Sequence, residues 1–263
     1  MYYKIGDAIC MIILPEDDCN AVVDQIITDD YDDEYCLALD FKPEFVARLM
    51  AAGFLVMSAN IRNEGEEPVY LLFPKLHTWR SALFFDNIHV KKSIRRFLSR
   101  YELRPDAEFD RIFGCCVKKH GSDWLTPPLV DCIKKIRRGE GVKRPDLSEG
   151  LTSPSPSSAD KPPDPVMPLL PTPYPYPAAF GLYRDDKLVA GDFGVVCGNV
   201  YTSYSGYYDE DNAGTAQLIL TARYLQEHGF TFFDLGMPME YKTMLGAEDI
   251  KMKRFVQLFR ERK

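Results

Sequence analysis

The segment from Ala179 to Asp234 constrains the fold more than any other part of the chain. Three apolar runs, Ala179 to Tyr183, Leu188 to Val196 and Val200 to Tyr204, are separated by the turn signals Arg184-Asp185-Asp186 and Gly198-Asn199. Short apolar runs broken by turn formers of this kind predict a three-strand meander. Thr215 to His228 then has helical spacing and is closed by Gly229, and Thr231 to Asp234 is a short buried strand ending in an acid. Strands followed by a helix and a further strand place the chain among the α+β folds.

The other elements are spaced along the rest of the sequence. Pro43 to Gly53 has apolar positions at Phe45, Val46, Leu49 and Met50, which predicts a helix stopped by Gly53 and followed by a strand at Phe54 to Met57. Val90 to Tyr101 carries Ile94, Phe97 and Leu98 on one face and Lys91, Lys92, Arg95, Arg96 and Arg100 elsewhere, the pattern of a basic amphipathic helix. Asp106 to Cys116 and Pro127 to Ile136 read as two more helices, the second with Thr126 at its N-cap. Residues 139–177 differ in kind, with Ser153-Pro154-Ser155-Pro156 and then Pro162, Pro163, Pro165, Pro168, Pro171, Pro173, Pro175 and Pro177. Prolines this dense lock φ and remove donors, so the stretch is expected to be a disordered or polyproline-like insertion outside any sheet or helix. A PxxP ligand role is the alternative for it.

Charge divides the chain further. Residues 1–88 carry six basic and sixteen acidic residues, a net of −10, within a total of −7. Residues 89–263 therefore stand at +3, and at +5 once the insertion, with three basic and five acidic residues, is set aside. The acidic total is an average over an acidic N-terminal region and a basic remainder, and it does not argue against a polyanionic partner. The expected organisation is a small N-terminal α/β domain at 1–88 and a second domain at 89–263 that holds the insertion. The longest apolar stretches fall short of the roughly 20 residues a bilayer span needs, and no cleavable leader is recognisable, so a cytoplasmic protein without a membrane partner is expected. Seven cysteines without a CxxC pair or zinc-ligand spacing read as free thiols in a reducing compartment, with Cys115-Cys116 a strained choice for a redox pair.

Meander, helix, strand and carboxylate, in that order, resemble the second half of a GNAT-type acyltransferase. The ordered motifs resemble one family more closely, the leucyl/phenylalanyl-tRNA–protein transferases. Phe84-Phe85-Asp86-Asn87-Ile88-His89-Val90 and Ser93-Ile94-Arg95-Arg96-Phe97 are similar to its signature of an apolar pair, Pro-Asp, Leu-His-Val and a basic helix. Asp123-Trp124-Leu125-Thr126-Pro127 parallels a Gly-Thr-Trp-Ile-Thr-Pro motif, and Asp186 to Gly191 with Phe193-Gly194-Val195 parallels a Glu-Leu-Val-Gly-Gly strand. Asn212-Ala213, Phe233-Asp234 and Leu245-Gly246-Ala247 complete the series.

The resemblance implies transfer of an amino acid, Leu, Phe or a related residue, from aminoacyl-tRNA to the N-terminal α-amine of an acceptor beginning with Arg or Lys, the tagging chemistry of an N-degron. It implies no cofactor and no metal, because the ester is already activated. Asp234 takes the implied catalytic role of holding the incoming amine and accepting its proton. Trp124, Thr126, Asp192, Tyr201, Tyr204, Ser205 and Asn212 are the implied substrate-binding residues, with tyrosine rings available for stacking on the terminal adenine. Lys91, Lys92, Arg95 and Arg96 are the implied tRNA contacts, a sequence-independent phosphate-binding run. A monomer is expected. No Walker motif and no glycine-rich acetyl-CoA loop is present.

Three positions depart from the family pattern. Tyr204 stands where the family has an acid, Gly236 where it has a glutamine, and Asp192 where it has an apolar residue. A carboxylate at a pocket position needs a polar or cationic partner. These departures leave two alternatives: a transferase with a changed donor, and a non-catalytic tRNA- or protein-binding relative.

Overall fold

In the computed structural model the described residues are 2–5, 8–31, 33–62, 65–121, 123–142 and 168–261. The chain opens with β1 (Tyr2–Ile5), β2 (Ala8–Ile12), α1 (Cys19–Thr28) and the short β3 (Cys36–Leu37), whose strands form one sheet in the order β1-β2-β3. Helix α2 (Pro43–Ala51) leads to a hairpin of β4 (Leu55–Asn60) and β5 (Tyr70–Lys75), followed by β6 (Trp79–Leu83). Then come α3 (Lys92–Leu98), β7 (Glu102–Pro105), α4 (Phe109–His120) and α5 (Pro127–Arg137). The last part holds β8 (Thr172–Arg184), β9 (Lys187–Gly198), β10 (Val200–Tyr208), α6 (Ala213–Glu227), β11 (Phe232–Asp234), α7 (Glu240–Leu245), β12 (Glu248–Lys251) and α8 (Met252–Arg260).

The main sheet has seven strands in the order β12-β6-β11-β10-β9-β8-β7, and the fold is mixed α+β. Strands β8, β9 and β10 form the expected meander. Its first turn is two residues long, with Asp185 at φ 51° and Asp186 at φ 59°, the paired positive dihedrals of a type I′ hairpin that fit the twist of the strands. Helix α6 then crosses over to β11, which runs parallel to β10, while every other neighbour pair in this sheet is antiparallel.

Both faces of this sheet are covered, which explains its nearly unbroken apolar strands. Adjacent residues go to opposite cores: Ala179, Val200 and Phe232 pack with α2, α4, α5 and α8, while Phe180, Tyr201 and Phe233 pack with α3 and α6. The division expected at residue 88 does not separate two sheets or two cores. Strand β6 lies before it yet pairs with β11 and β12, and Phe45, Leu49 and Val56 share a core with Phe193 and Val195.

Two further expectations change. The centre of the proline-rich stretch, 143–167, lies outside the described residues, but its end is ordered into the sheet, because β8 begins at Thr172 and includes Pro173, Pro175 and Pro177. Strand β7 covers β8 only from Phe180 onward, so residues 172–179 form an outer edge. Prolines two apart lack their donors on the same side of the strand, and an edge tolerates this. Leu169 is also buried, and its carbonyl accepts from the Tyr224 hydroxyl at 3.2 Å. The basic helix is shorter than expected, at seven residues.

Candidate active site

The end of β11 sits between β10 and β6, and this register builds the first half of the site. Asp234 lies opposite Thr202 on β10 and Ala82 on β6, so Arg80, two residues along β6, shares its face. The Arg80 guanidinium donates from Nε to Asp234 Oδ1 at 2.9 Å and from Nη2 to Oδ2 at 2.7 Å. Thr202 Oγ1 donates to Oδ2 at 2.9 Å, and the Gly236 amide donates to Oδ1 at 3.0 Å. Gly236 adopts φ 73°, a left-handed turn that brings its N–H back onto the carboxylate and that a glycine adopts without strain. Burial pushes the Asp234 carboxyl up, but the adjoining guanidinium and the amide and hydroxyl donors outweigh it and hold it below the ordinary value.

This geometry bears on the role expected of Asp234. A proton acceptor needs a reachable lone pair and a matched pKa. Asp234 has no exposed surface, both its oxygens are engaged, and its pKa is lowered. In this arrangement it holds Arg80. Arg80 is itself 1% exposed, with its Cζ 4.4 Å from the centre of the Phe255 ring, and its Nη1 has no hydrogen-bond partner among the described residues. It lines a cavity of about 10 Å³ with Phe54, Thr202 and Tyr204, room for one water.

The second half lies on β9 and β10. Asp192 is 2% exposed; the Tyr201 hydroxyl donates to its Oδ1 at 2.5 Å, and the Ser203 hydroxyl donates to its Oδ2. The alternation that places Tyr201 and Ser203 on one face brings both hydroxyls to one carboxylate. Burial raises the Asp192 carboxyl to about 7 against those two donors and the nearby Lys242 ammonium. Tyr201 is not available for adenine stacking, because it is fully buried and its ring packs on Phe180 and Phe233.

A bulge follows. Ser203 pairs with Gly194 and Ser205 with Phe193, which leaves Tyr204 as the extra residue and reverses the faces beyond it. The Tyr204 hydroxyl reaches the N-terminal half of the chain, accepting from the Val56 amide at 3.4 Å and donating to the Phe54 carbonyl at 3.5 Å. Tyr204 and Trp124 both pack on Phe193, with ring centres 6.1 and 6.3 Å away. Thr126 stands at the N-cap of α5, but its hydroxyl does not cap the helix; it lies 2.7 Å from Ser58 Oγ, and the Ser58 amide donates to the Trp124 carbonyl at 2.9 Å. Trp124 and Thr126 are thereby tied to β4.

The structure thus brings Tyr204 and Trp124 around Phe193 on the face of the sheet that holds Asp234 and Arg80, while Asp192 and Tyr201 meet on the opposite face. Ser205 is buried, and its carbonyl accepts from Cys116. Asn212 is exposed at the N-cap of α6 with φ 67° and makes no side-chain cap bond. Lys91, Lys92, Arg95 and Arg96 are exposed and form no ion pair among the described residues, and Arg96 lies over the Phe97 ring at 4.9 Å. All seven cysteines are free thiols, five of them buried.

Sequence reasoning missed Arg80 and Lys242. Arg80 is the one charged residue of β6, between Trp79 and the run Ser81 to Leu83, a signal that counting it as a charge conceals. Lys242 on α7 is 5% exposed, with Nζ donating to the Leu235 and Met237 carbonyls at 2.6 and 2.7 Å. Burial lowers it to about 8, against the pull of Asp234 and Asp192.

Residues 176–260, which contain both carboxylates, match the profile of the leucyl/phenylalanyl-tRNA protein transferases. Over that segment the chain is similar to that family. A leucyl/phenylalanyl-tRNA–protein transferase of Pectobacterium carotovorum subsp. carotovorum is 22% identical over 181 residues, covering 68% of this chain and 62% of that protein, less than two thirds of its length. The transferase of Campylobacter jejuni strain RM1221 is 20% identical over 228 residues, covering 84% and 85%. Among solved structures, FemX is similar over 98% of this chain and 85% of its own, at 10% identity and a TM-score of 0.42. Against this transferase family, the departures at Tyr204 and Gly236 have structural roles here: the tyrosine bridges to β4, and the glycine turns its amide onto Asp234.

Proposed function

We propose that this chain is an aminoacyltransferase that moves an amino acid from aminoacyl-tRNA to the N-terminal α-amine of an acceptor protein. The observation that carries the reading is the family match over residues 176–260, the segment that supplies Asp192, Tyr201, Thr202, Asp234 and Lys242. The amine nitrogen attacks the ester carbonyl, the amide bond forms, the tRNA hydroxyl leaves, and the amine gives up its proton. No cofactor is needed, because the ester carries the activation; the protein supplies orientation and a low-dielectric setting. The domain around the meander is read as GNAT-like, the exposed cations of α3 as phosphate contacts, and the protein as a cytoplasmic monomer.

In this reading Asp234 positions: it fixes Arg80 across β6, β10 and β11 and so holds the strand ends that frame the site. Asp192 is the carboxylate in the substrate region. The second reading, a non-catalytic tRNA-binding relative, is favoured by the engagement of both Asp234 oxygens and by Tyr204 in place of an acid. The deciding experiment incubates the full chain with a panel of labelled aminoacyl-tRNAs and peptides beginning with Arg or Lys, read by mass. Addition of one amino acid from any donor supports the transferase. Tight tRNA binding without product from the whole panel supports the binding protein.

A further inference from the structure

We propose that Asp192, framed by Tyr201 and Ser203 and faced across the ladder by Gly206, is a docking point for a primary ammonium group of the aminoacyl moiety. The proposal rests on the transferase reading and names the chemistry its substrate would present at one position.

The argument starts from what surrounds the carboxylate. Asp192 is buried, and its hydrogen bonds come from two neutral hydroxyls, Tyr201 and Ser203. The nearby cation, Lys242, is tied by Nζ to the Leu235 and Met237 carbonyls and makes no ion pair with Asp192 among the described residues. Hydroxyls solvate a carboxylate but do not neutralise it, and a buried carboxylate left with neutral partners favours a cation. Burial raises the Asp192 pKa, and a cation brought beside it would lower it again.

Access comes from the opposite strand. Gly206 pairs with Asp192 across the β9–β10 ladder and is exposed. A Cβ at that position would stand 3.5 Å from Asp192 Oδ2 and 3.3 Å from the Gly191 carbonyl. A side chain there would lie in van der Waals contact with the carboxylate; the glycine leaves only a narrow approach to a group that is itself 2% exposed. A compact ammonium suits this slot, since its N–H groups can meet the carboxylate while its methylene stem lies along apolar surface.

The ammonium has two sources in an aminoacyl group, its α-amine and a basic side chain, and a pair of probes separates them. The probes are 3′-amino-3′-deoxyadenosines carrying lysine or norleucine through a stable 3′-amide; they differ only in an ammonium against a hydrogen on Cε. Their affinities for the full chain are measured by calorimetry for the wild type, Asp192→Asn and Gly206→Ala. Preference of the wild type for the lysyl analogue by about ten- to hundredfold, removed in Asp192→Asn, assigns the side-chain amine. Equal binding of both, weakened by that factor in Asp192→Asn, assigns the α-amine. Gly206→Ala keeps the carboxylate and is expected to weaken the same analogue, so it carries the test if Asp192→Asn does not fold. Unchanged affinity of both analogues in both variants, or no binding of either to the wild type, overturns the proposal. Transfer assays on the same preparations judge the transferase reading separately: product formed by Asp192→Asn from the wild-type donors would overturn the docking role and leave the transferase standing.

Discussion

Two carboxylates lie buried in one sheet and are treated in opposite ways. Asp234 meets a guanidinium, an amide and a hydroxyl, and its pKa falls; Asp192 meets two hydroxyls, and its pKa rises to about 7. Burial is nearly the same at both, so the partner sets the sign of the shift. The difference suggests a division of labour. A saturated, ionised pair suits a fixed joint between strands, and a carboxylate with neutral partners suits a group that something else completes.

The largest expected effect comes from breaking the joint. Arg80→Ala or Asp234→Ala leaves one buried charge without its partner and should cost about 3–5 kcal/mol in denaturant unfolding. The paired change Arg80→Met with Asp234→Leu removes both charges and should recover most of that loss. A double variant no more stable than either single would show that the pair is more than a structural joint.

The pH dependence separates the two acids next. The raised pKa of Asp192 means that the folded state keeps a proton the unfolded state has released. Stability should therefore fall as pH rises from about 4 to about 7, by about 1 kcal/mol per pH unit at the steepest. Asp192→Asn should flatten that limb. Asp234 contributes with the other sign: its stabilisation is present above the ordinary carboxylate pKa and is lost as pH falls through its lower folded value. Thermal melts across pH for both variants check the two limbs.

Smaller effects follow. Tyr204→Phe removes two long hydrogen bonds to β4 and its approach, and should cost about 1 kcal/mol or less in the same unfolding experiment. Replacing Lys91, Lys92, Arg95 and Arg96 with alanine removes exposed charges and should change stability by no more than about 0.5 kcal/mol. The same variant should bind tRNA with a shallower salt dependence, and an unchanged slope in a salt titration would remove α3 as a phosphate contact.

Much of this contrast was legible in the sequence, and the rest was not, for physical reasons. The meander announced itself through Asp185-Asp186 and Gly198-Asn199, because two-residue turns demand special dihedrals. Helices α2 and α5 were marked by Pro43 and Pro127 at their starts and Gly53 after the first. The prolines at 173, 175 and 177 misled, since their ban from sheets lapses on an outer edge. Arg80 and Asp234 are 154 residues apart, and their pairing exists only once β6 is placed beside β11, a join that also crosses the boundary expected at residue 88. The bulge at Tyr204 is equally silent in the sequence, yet it decides which tyrosines face which core. Asp192 was visible as an acid in an apolar run that needs a polar partner; that Tyr201 and Ser203 supply it depends on the register of β9 against β10.

The most direct measurement of the central claim is the mass of an Arg- or Lys-initiated peptide after incubation with the chain and a full panel of aminoacyl-tRNAs. The account predicts a gain of one amino-acid residue on the peptide's α-amine from at least one donor. An unmodified peptide from every donor, with tRNA still bound by the chain, would contradict it.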